Sequence, residues 1–363
     1  MVSKISRVTL VRTALACSAL LLTWVVWHDP TFSAQSQDAW TEQAALSDHV
    51  PGAGAPRKAD PLPDGATFAV APYIDLAGSP TPTSSELLAK AGLKNATLGY
   101  ITAADCSASW FNTHDPLRSW QSAEVDKIRA AGGDVKVAFG GPVGPDLAAI
   151  CQDWNELASQ YDSVVHAYQL EQVDAVLSPK SLGDREAMLR RGQALSWVQR
   201  NNPGLRITVT VPVLSGGLSP DAEFAIRAMR DSGVDIDVVN ILAMDYPDEP
   251  DADLGEQAKR AAQATYTQLA KLYPGRKAEQ LWRLLGITVK LGDNATGNRP
   301  FGLDDAQDLV TFAEQHKVGM LSYVDLPRDA AACEGDPTKC TNVTQPAYAF
   351  SKIFARYTPY PNP

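Results

Sequence analysis

Short apolar runs alternate with longer amphipathic stretches along most of the chain. Each run is five to eight residues long and rich in Val, Ile and Leu, a pattern typical of buried parallel strands. The stretches between the runs carry helix signals. A capping box over 83–86 opens one helix, and Ser219-Pro220 starts another that Gly233 ends. The predicted strands are 68–74, 96–102, 135–141, 172–177, 205–211, 237–244, 284–290 and 320–324, and further helices are predicted over 120–131, 146–168, 183–200, 254–272, 303–316 and 347–356.

Eight strands alternating with helices over about 290 residues predict an α/β fold of the (β/α)8 TIM-barrel type. A doubly wound open sheet is the alternative, because it has the same alternation. The predicted barrel domain spans 66–357, and a short tail follows over 358–363. In a TIM barrel the function lies at the C-terminal ends of the strands.

The N-terminal segment over 1–34 has the features of an export signal. Three basic residues precede an uncharged, mostly apolar run over 13–27, which is shorter than the ~20 residues that span a bilayer. The segment is either a signal peptide cleaved after Ala34 or an uncleaved signal anchor, since Phe32 fits a cleavage site poorly. Residues 35–65 are rich in Pro and Gly and predict a linker. The basic residues are Lys4, Arg7 and Arg12.

Charge and motif content exclude several classes of function. The chain has 32 basic and 42 acidic residues, a formal net charge of −10, and no dense basic stretch, which argues against nucleic acid as a partner. It has no zinc-spaced Cys/His cluster, no Walker loop and no G-x-G-x-x-G motif, so neither a metal nor another cofactor is expected. We expect a monomer whose only membrane contact is the possible N-terminal anchor.

Four cysteines outside the leader form an even set, which in an exported protein predicts two disulfides. Three pairings are possible, and four free thiols are the alternative. Six turn-rich residues separate Cys333 from Cys340, so this pair can close locally. We therefore favour Cys333–Cys340 together with Cys106–Cys151.

The C-terminal ends of the predicted strands carry carboxylates and aromatic rings. No histidine is among them, so a Ser-His-Asp mechanism has no evident base. Carboxylates beside aromatic rings favour a carbohydrate ligand, because sugars are bound by acceptors and stacked on rings. The candidate ligand-binding residues are Tyr73, Asp75, Asp174, Met244, Asp245, Tyr246 and Tyr323, and Asp325 follows the last strand.

Several stretches resemble the secreted bacterial chitinases of glycoside hydrolase family 18. The resemblance extends over about 66–357 and implies a TIM barrel with a cleft for N-acetylglucosamine polymers. It also implies that Cys106–Cys151 lies near that cleft. The stretches are APYIDLAGSPTP (71–82), ATLGYIT (96–102), VAFGGPVG (137–144), NNPGLRITVTVPVLSGGL (201–218) and DVVNILAMDY (237–246).

The chain departs from this family where the resemblance places catalysis. The family motif D-x-x-D-x-D-x-E falls on 171–178. The resemblance implies that its last Glu is the general acid and that the Asp before it holds the substrate's acetamido group. Here those positions are Ser178 and Val176, while Asp174 matches. A tryptophan floor expected after the eighth strand is replaced by Val324, so we assign no catalytic residue.

Three functions remain open. The first is a chitinase-like protein without hydrolase activity that binds N-acetylglucosamine-type glycans weakly, or a protein, in the old cleft. The second is an active glycoside hydrolase whose acid is another carboxylate. The third is an interaction scaffold without sugar binding. The carboxylates considered for the second are Asp75, Asp245, Asp248 and Glu249.

Overall fold

The computed structural model describes residues 68–77, 83–249, 253–295 and 299–359. The predicted N-terminal segment over 1–34 and the predicted linker over 35–65 lie outside the described residues. In the described part of the chain, no helix is long and apolar enough to cross a membrane.

Eight parallel strands form the predicted barrel. They follow one another around the sheet in chain order, and the sheet closes where Ala71 N donates to Leu321 O at 3.2 Å and Leu321 N donates to Ala69 O at 2.8 Å. The barrel strands are β1 (Tyr73–Asp75), β2 (Asn95–Ala103), β4 (Asp134–Gly140), β5 (Gln172–Val176), β6 (Arg206–Leu214), β8 (Ile236–Leu242), β9 (Leu285–Lys290) and β10 (Met320–Val324). Two short strands, β3 (Ala108–Trp110) and β7 (Gly217–Leu218), pair antiparallel to β2 and β6.

Helices connect the strands and cover the outside of the barrel. Their bounds are α1 (Ser84–Ala91), α2 (Ser122–Ala130), α3 (Leu147–Ile150), α4 (Trp154–Tyr168), α5 (Pro179–Leu182), α6 (Arg185–Asn201), α7 (Pro220–Asp231), α8 (Leu254–Leu272), α9 (Ala278–Leu284), α10 (Leu303–His316), α11 (Leu326–Ala331) and α12 (Ala349–Phe354). A 3-10 turn spans Pro116–Arg118.

The helix signals in the sequence act as expected. Thr83 and Glu86 form the capping box that opens α1, and the Ser219 side chain accepts from Ala222 N at 3.2 Å to cap α7. Gly233 follows α7 at a φ of +91°, a conformation that favours glycine. The predicted helix over 146–168 is instead two helices, because Asp153 caps a new start by accepting from Asn155 N.

Both predicted disulfides are confirmed. Cys106 lies in the turn between β2 and β3 and bonds to Cys151, which ends α3. Cys333 and Cys340 close a short loop after α11.

A chain of polar side chains crosses the barrel interior. Asp174 on β5 is fully buried, and its two oxygens accept from the Tyr73 hydroxyl at 2.6 Å and the Thr210 hydroxyl at 2.7 Å. Asn240 donates to Thr210 at 3.0 Å and accepts from Thr288 at 2.9 Å. These bonds link five strands, β1, β5, β6, β8 and β9, around one carboxyl group.

A second buried ionisable group lies below this chain. Lys136 on β4 contacts the Thr208 hydroxyl at 3.3 Å and the Met320 sulfur at 2.9 Å. Burial lowers the pKa of Lys136 to about 8, against the opposing charge of Asp174. Burial likewise raises the pKa of Asp174, while the charge of Lys136 lowers it.

This network predicts that Thr210→Val destabilises the protein by about 1–3 kcal/mol, because it leaves Asn240 and Asp174 each without one buried partner. The change keeps the side-chain shape, so packing contributes little. Chemical denaturation of the full-length protein measures it.

Thr265→Val is the matched control. Thr265 is also fully buried, but its hydroxyl has no hydrogen-bond partner among the described residues. Its replacement should leave the stability unchanged or raise it slightly. Equal losses in both variants would contradict the central role given to the Thr210 bonds.

Candidate functional site

The floor of the barrel mouth is apolar where the sequence places the altered motif. Val176 points inward from the end of β5 and packs with Tyr73, Tyr100 and Ala138. Val324, at the end of β10, packs against the same cluster. The two departures from the family pattern therefore meet in one patch, together with the half-buried ring of Phe111.

Ser178 is a helix cap in this structure. Its hydroxyl accepts from Ser181 N at 3.1 Å and shares a 3.0 Å hydrogen bond with the Ser181 hydroxyl, and Pro179 is the first residue of α5. At the position where the resemblance implies an acid, the side chain therefore caps a helix by accepting a backbone hydrogen bond.

Two predicted ligand-binding residues, Tyr73 and Asp174, bond to each other in the barrel interior. Asp174 has both oxygens occupied by Tyr73 and Thr210, as described above. Burial, followed by the charge of Asp174, raises the pKa of Tyr73 well above its ordinary value. The pair forms part of the interior network.

Two carboxyl groups stand at the mouth on neighbouring strands. Asp75 ends β1, and Asp325 directly follows β10; both are partly exposed. Burial raises the pKa of Asp75, partly offset by a hydrogen bond from Ala77 N. Burial also raises the pKa of Asp325 to about 6, with the charge of Asp75 adding to the effect and Arg328 opposing it.

Tyr100 lies beside these carboxyls and was not among the predicted site residues. Burial, followed by the charges of Asp75 and Asp325, raises its pKa. It points inward because β2 carries an extra residue between Leu98 and Ile101 relative to β4. A strict two-residue alternation places Ile101 inward instead, so the sequence pattern gave no signal for Tyr100.

The predicted Met244 and Asp245 lie at the mouth just after β8, two strands from β10. Both are partly exposed, and Asp245 forms a 3.6 Å ion pair with Lys290, which points inward from β9. Asp245 also accepts a hydrogen bond from Ala295 N. The Lys290 contact was not predicted.

Tyr246 and Tyr323 are not exposed at the mouth. Tyr246 is 0% exposed, and its hydroxyl has no hydrogen-bond partner among the described residues. Tyr323 points outward to α12, where its hydroxyl lies 2.7 Å from the Ser351 hydroxyl and its ring packs on Phe354. The structure therefore separates Tyr323 from the other predicted ligand-binding residues.

Asp248 and Glu249 already have partners. Asp248 accepts from the Ser215 hydroxyl at 2.6 Å, and these bonds lower its pKa although burial opposes the shift. Arg260 donates to Glu249 at 2.6 Å and lowers the pKa of that carboxyl. Both groups stay ionised in neutral solution and suit general acid catalysis poorly.

The chain is similar to known chitinases. No family model matches the chain. It is 26% identical over 323 residues to a probable bifunctional chitinase/lysozyme of Escherichia coli strain K12, covering 84% of this chain and 36% of that protein. It is 25% identical over 291 residues to endochitinase 11 of Metarhizium anisopliae, covering 77% of this chain and 55% of that protein.

The chain is also similar to solved chitinase structures. Catalytic-site mutants of active domain 2 of a thermostable Pyrococcus furiosus chitinase, complexed with chito-oligosaccharides, superpose with a TM-score of 0.68 at 28% identity. The match covers 79% of this chain and 93% of that one. The chain thus spans nearly all of that domain but only about a third to a half of the two curated relatives.

The raised pKa of Asp325 predicts a pH-dependent gain in stability for Asp325→Asn. The asparagine oxygen still accepts from Arg328 N, as the carboxylate does at 3.0 Å, so the cap of α11 is kept. The wild-type carboxyl ionises at about 6 when folded, against an ordinary value of 3.8, so folding disfavours its charged form. The variant should gain about 1–2 kcal/mol near neutral pH, and the gain should vanish below about pH 4.

The unfolding free energies of wild type and Asp325→Asn, measured from below about pH 4 to neutral pH, test this prediction. Asp248→Asn is the control of opposite sign, because the pKa of Asp248 is lowered. A pH-independent difference between Asp325→Asn and wild type would contradict the assignment.

Proposed function

We propose that the chain, a chitinase-like protein of glycoside hydrolase family 18, binds N-acetylglucosamine-type glycans weakly in the barrel mouth without hydrolysing them. One observation carries the proposal. At the end of β5 the Ser178 hydroxyl caps α5 and Val176 belongs to the apolar floor.

The chemistry of glycoside cleavage supports the loss of activity. A glycosidic oxygen is a poor leaving group unless it is protonated, and a serine hydroxyl is too weak an acid to protonate it near neutral pH. General acid catalysis typically contributes ~10²–10⁴-fold to the rate. In the resembling family, the substrate's own acetamido carbonyl attacks after an aspartate has oriented it. Val176 offers no polar atom for that task.

Binding does not require the acid, because binding and bond cleavage use different contacts. The mouth keeps the partly exposed Asp75, Asp245 and Asp325 beside the rings of Tyr100 and Phe111. Without an aromatic platform at 324, we expect dissociation constants on the order of 0.1–1 mM. The alternative ligand in this proposal is a protein that binds in the same mouth.

Hydrolysis with Asp325 as the acid is a second candidate function. The observation that favours it is the pKa of about 6 of a partly exposed carboxyl at the mouth. A general acid is most effective when its pKa lies near the working pH. Against it, β10 lies four barrel strands away from β5, where the family places its acid.

We further propose that the protein works outside the cytoplasm. The basic and apolar N-terminal segment supports export, and the two disulfides suit an oxidising compartment.

The loss of the acid predicts no turnover of fluorogenic chitobiose or chitotriose substrates by the full-length protein above a heat-inactivated control. The variant Val176→Asp/Ser178→Glu restores both carboxylates and should show slow but measurable release. Time-resolved fluorescence of the released group measures both.

Asp325→Asn separates the two candidate functions. Turnover by the wild type that this change abolishes would replace the first candidate with the second. Turnover that survives Asp325→Asn, Asp75→Asn and Ser178→Ala would contradict both the proposed loss of hydrolysis and the assignment of Asp325 as the acid.

The missing platform predicts that Val324→Trp tightens the binding of N-acetylglucosamine tetramer at least about fivefold, because stacking on an aromatic ring contributes ~1–3 kcal/mol. NMR titration of the full-length protein measures the dissociation constants of variant and wild type.

Leu189→Trp is the matched control. Leu189 is 40% exposed on α6, outside the barrel, so a tryptophan there adds an exposed ring without reaching the mouth. Equal effects of the two tryptophans would argue against a sugar site at the mouth. No shifts at millimolar tetramer in any variant would favour the interaction scaffold.

A further inference from the structure

One side of the mouth contains three polar groups that lack full partners. They are the carboxyls of Asp75 and Asp325 and the hydroxyl of Tyr100, and we refer to them as the Asp75–Asp325 site. Asp75 ends β1 and Asp325 directly follows β10, and these neighbouring strands close the barrel through hydrogen bonds of Leu321 with Ala69 and Ala71.

Each carboxyl uses one oxygen for its own backbone. Asp75 accepts from Ala77 N at 2.9 Å, and Asp325 accepts from Arg328 N at 3.0 Å. Within the described part of the chain, the second oxygen of each has no hydrogen-bond partner. Both side chains are partly exposed, so a ligand can reach these oxygens.

The Tyr100 hydroxyl is an independent sign that something binds here. The Tyr100 residue is only 6% exposed, and none of the described residues hydrogen-bonds its hydroxyl. Its ring packs into the floor with Tyr73 and Val176, and the charges of Asp75 and Asp325 both act on the hydroxyl. Unlike the Tyr246 hydroxyl, the Tyr100 hydroxyl oxygen is not fully enclosed, so a ligand in the mouth can reach it.

The cations near the site are already in use. Arg328 donates to the carbonyls of Val324, Asp293 and Cys340, and burial lowers its pKa. Lys290, which lies beside Val324 on the neighbouring strand β9, pairs with Asp245. Arg328 attracts Asp325, but burial outweighs this attraction and the pKa of Asp325 stays raised. Among the described side chains, neither Asp75 nor Asp325 has an ion-pair partner.

We propose that the Asp75–Asp325 site binds the protonated amine of an amino sugar, so that the mouth prefers glucosamine oligomers to their N-acetylated forms. The inference rests on the proposed function and specifies its ligand. An ammonium group donates charge-assisted hydrogen bonds to both free carboxylate oxygens and relieves their repulsion. The Tyr100 hydroxyl then hydrogen-bonds a neighbouring sugar oxygen.

The same mouth offers little to an acetamido group. An acetamide carries no charge and gains less from two carboxylates than an ammonium does. Val176 stands where the resemblance places the acetamide-binding aspartate. The Tyr246 hydroxyl is fully buried, so it is not presented to a sugar in the mouth.

Calorimetric titration of the full-length protein with fully deacetylated and fully acetylated tetramers of the same chain tests the preference. We expect the glucosamine tetramer to bind at least about tenfold more tightly near pH 6, where the Asp325 carboxyl is still partly ionised. Asp325→Asn and Asp75→Asn should each remove most of that difference, while asparagine keeps the backbone hydrogen bonds that hold the two turns.

Asp248→Asn is the matched control for general attraction between a cationic oligomer and an acidic protein. It removes one negative charge, as Asp325→Asn does, but from a carboxylate that already accepts a hydrogen bond from Ser215. It should leave the preference for the glucosamine tetramer unchanged. An equal loss in Asp248→Asn and Asp325→Asn would overturn the site. Equal affinities for both tetramers would overturn the inference and leave the proposed function standing, whereas no binding of either would overturn both.

Discussion

The barrel depends on one buried carboxyl group. Asp174 lies in the interior, where an unpaired polar group costs free energy, and the Tyr73 and Thr210 hydroxyls satisfy both of its oxygens. Those hydroxyls fix the height of β1 and β6 relative to β5, and Asn240 extends the constraint to β8 and β9. The side chains one step further along these strands, Asp75 and Val176 among them, form the mouth. The geometry of the mouth therefore follows from the network beneath it.

Much of the fold could be predicted because its signals are local. Buried runs mark the strands, and caps such as Ser219 mark the helix starts. Two features of the site also had sequence signals. Ser178-Pro179 has the same cap pattern as Ser219-Pro220, and the two-residue period that points Val324 inward points Tyr323 outward. The bulge that turns Tyr100 inward has no such signal. The burial that raises the pKa of Asp325 arises only when β1 and β10 meet.

The two departures from the family pattern are coupled in space. Val176 and Val324 come from opposite parts of the barrel, yet both pack on the cluster that contains Tyr100. An aspartate at 176 alone would therefore place a polar group against an apolar neighbour at 324, at a cost in free energy unless the neighbour also changed. The two valines therefore belong to one packed apolar floor, and neither can be changed without affecting the surroundings of the other.

The Cys106–Cys151 bond has a consequence for any ligand of this mouth. It joins the turn after β2 to the end of α3, which follows β4, and Ala103 N also donates to Pro145 O at 2.9 Å between the same two walls. Two adjacent walls are thus held at a set separation before a ligand arrives. A preorganised groove loses little conformational entropy on binding, so even a few contacts suffice for measurable affinity. The same rigidity limits how far these two walls can adapt to a ligand.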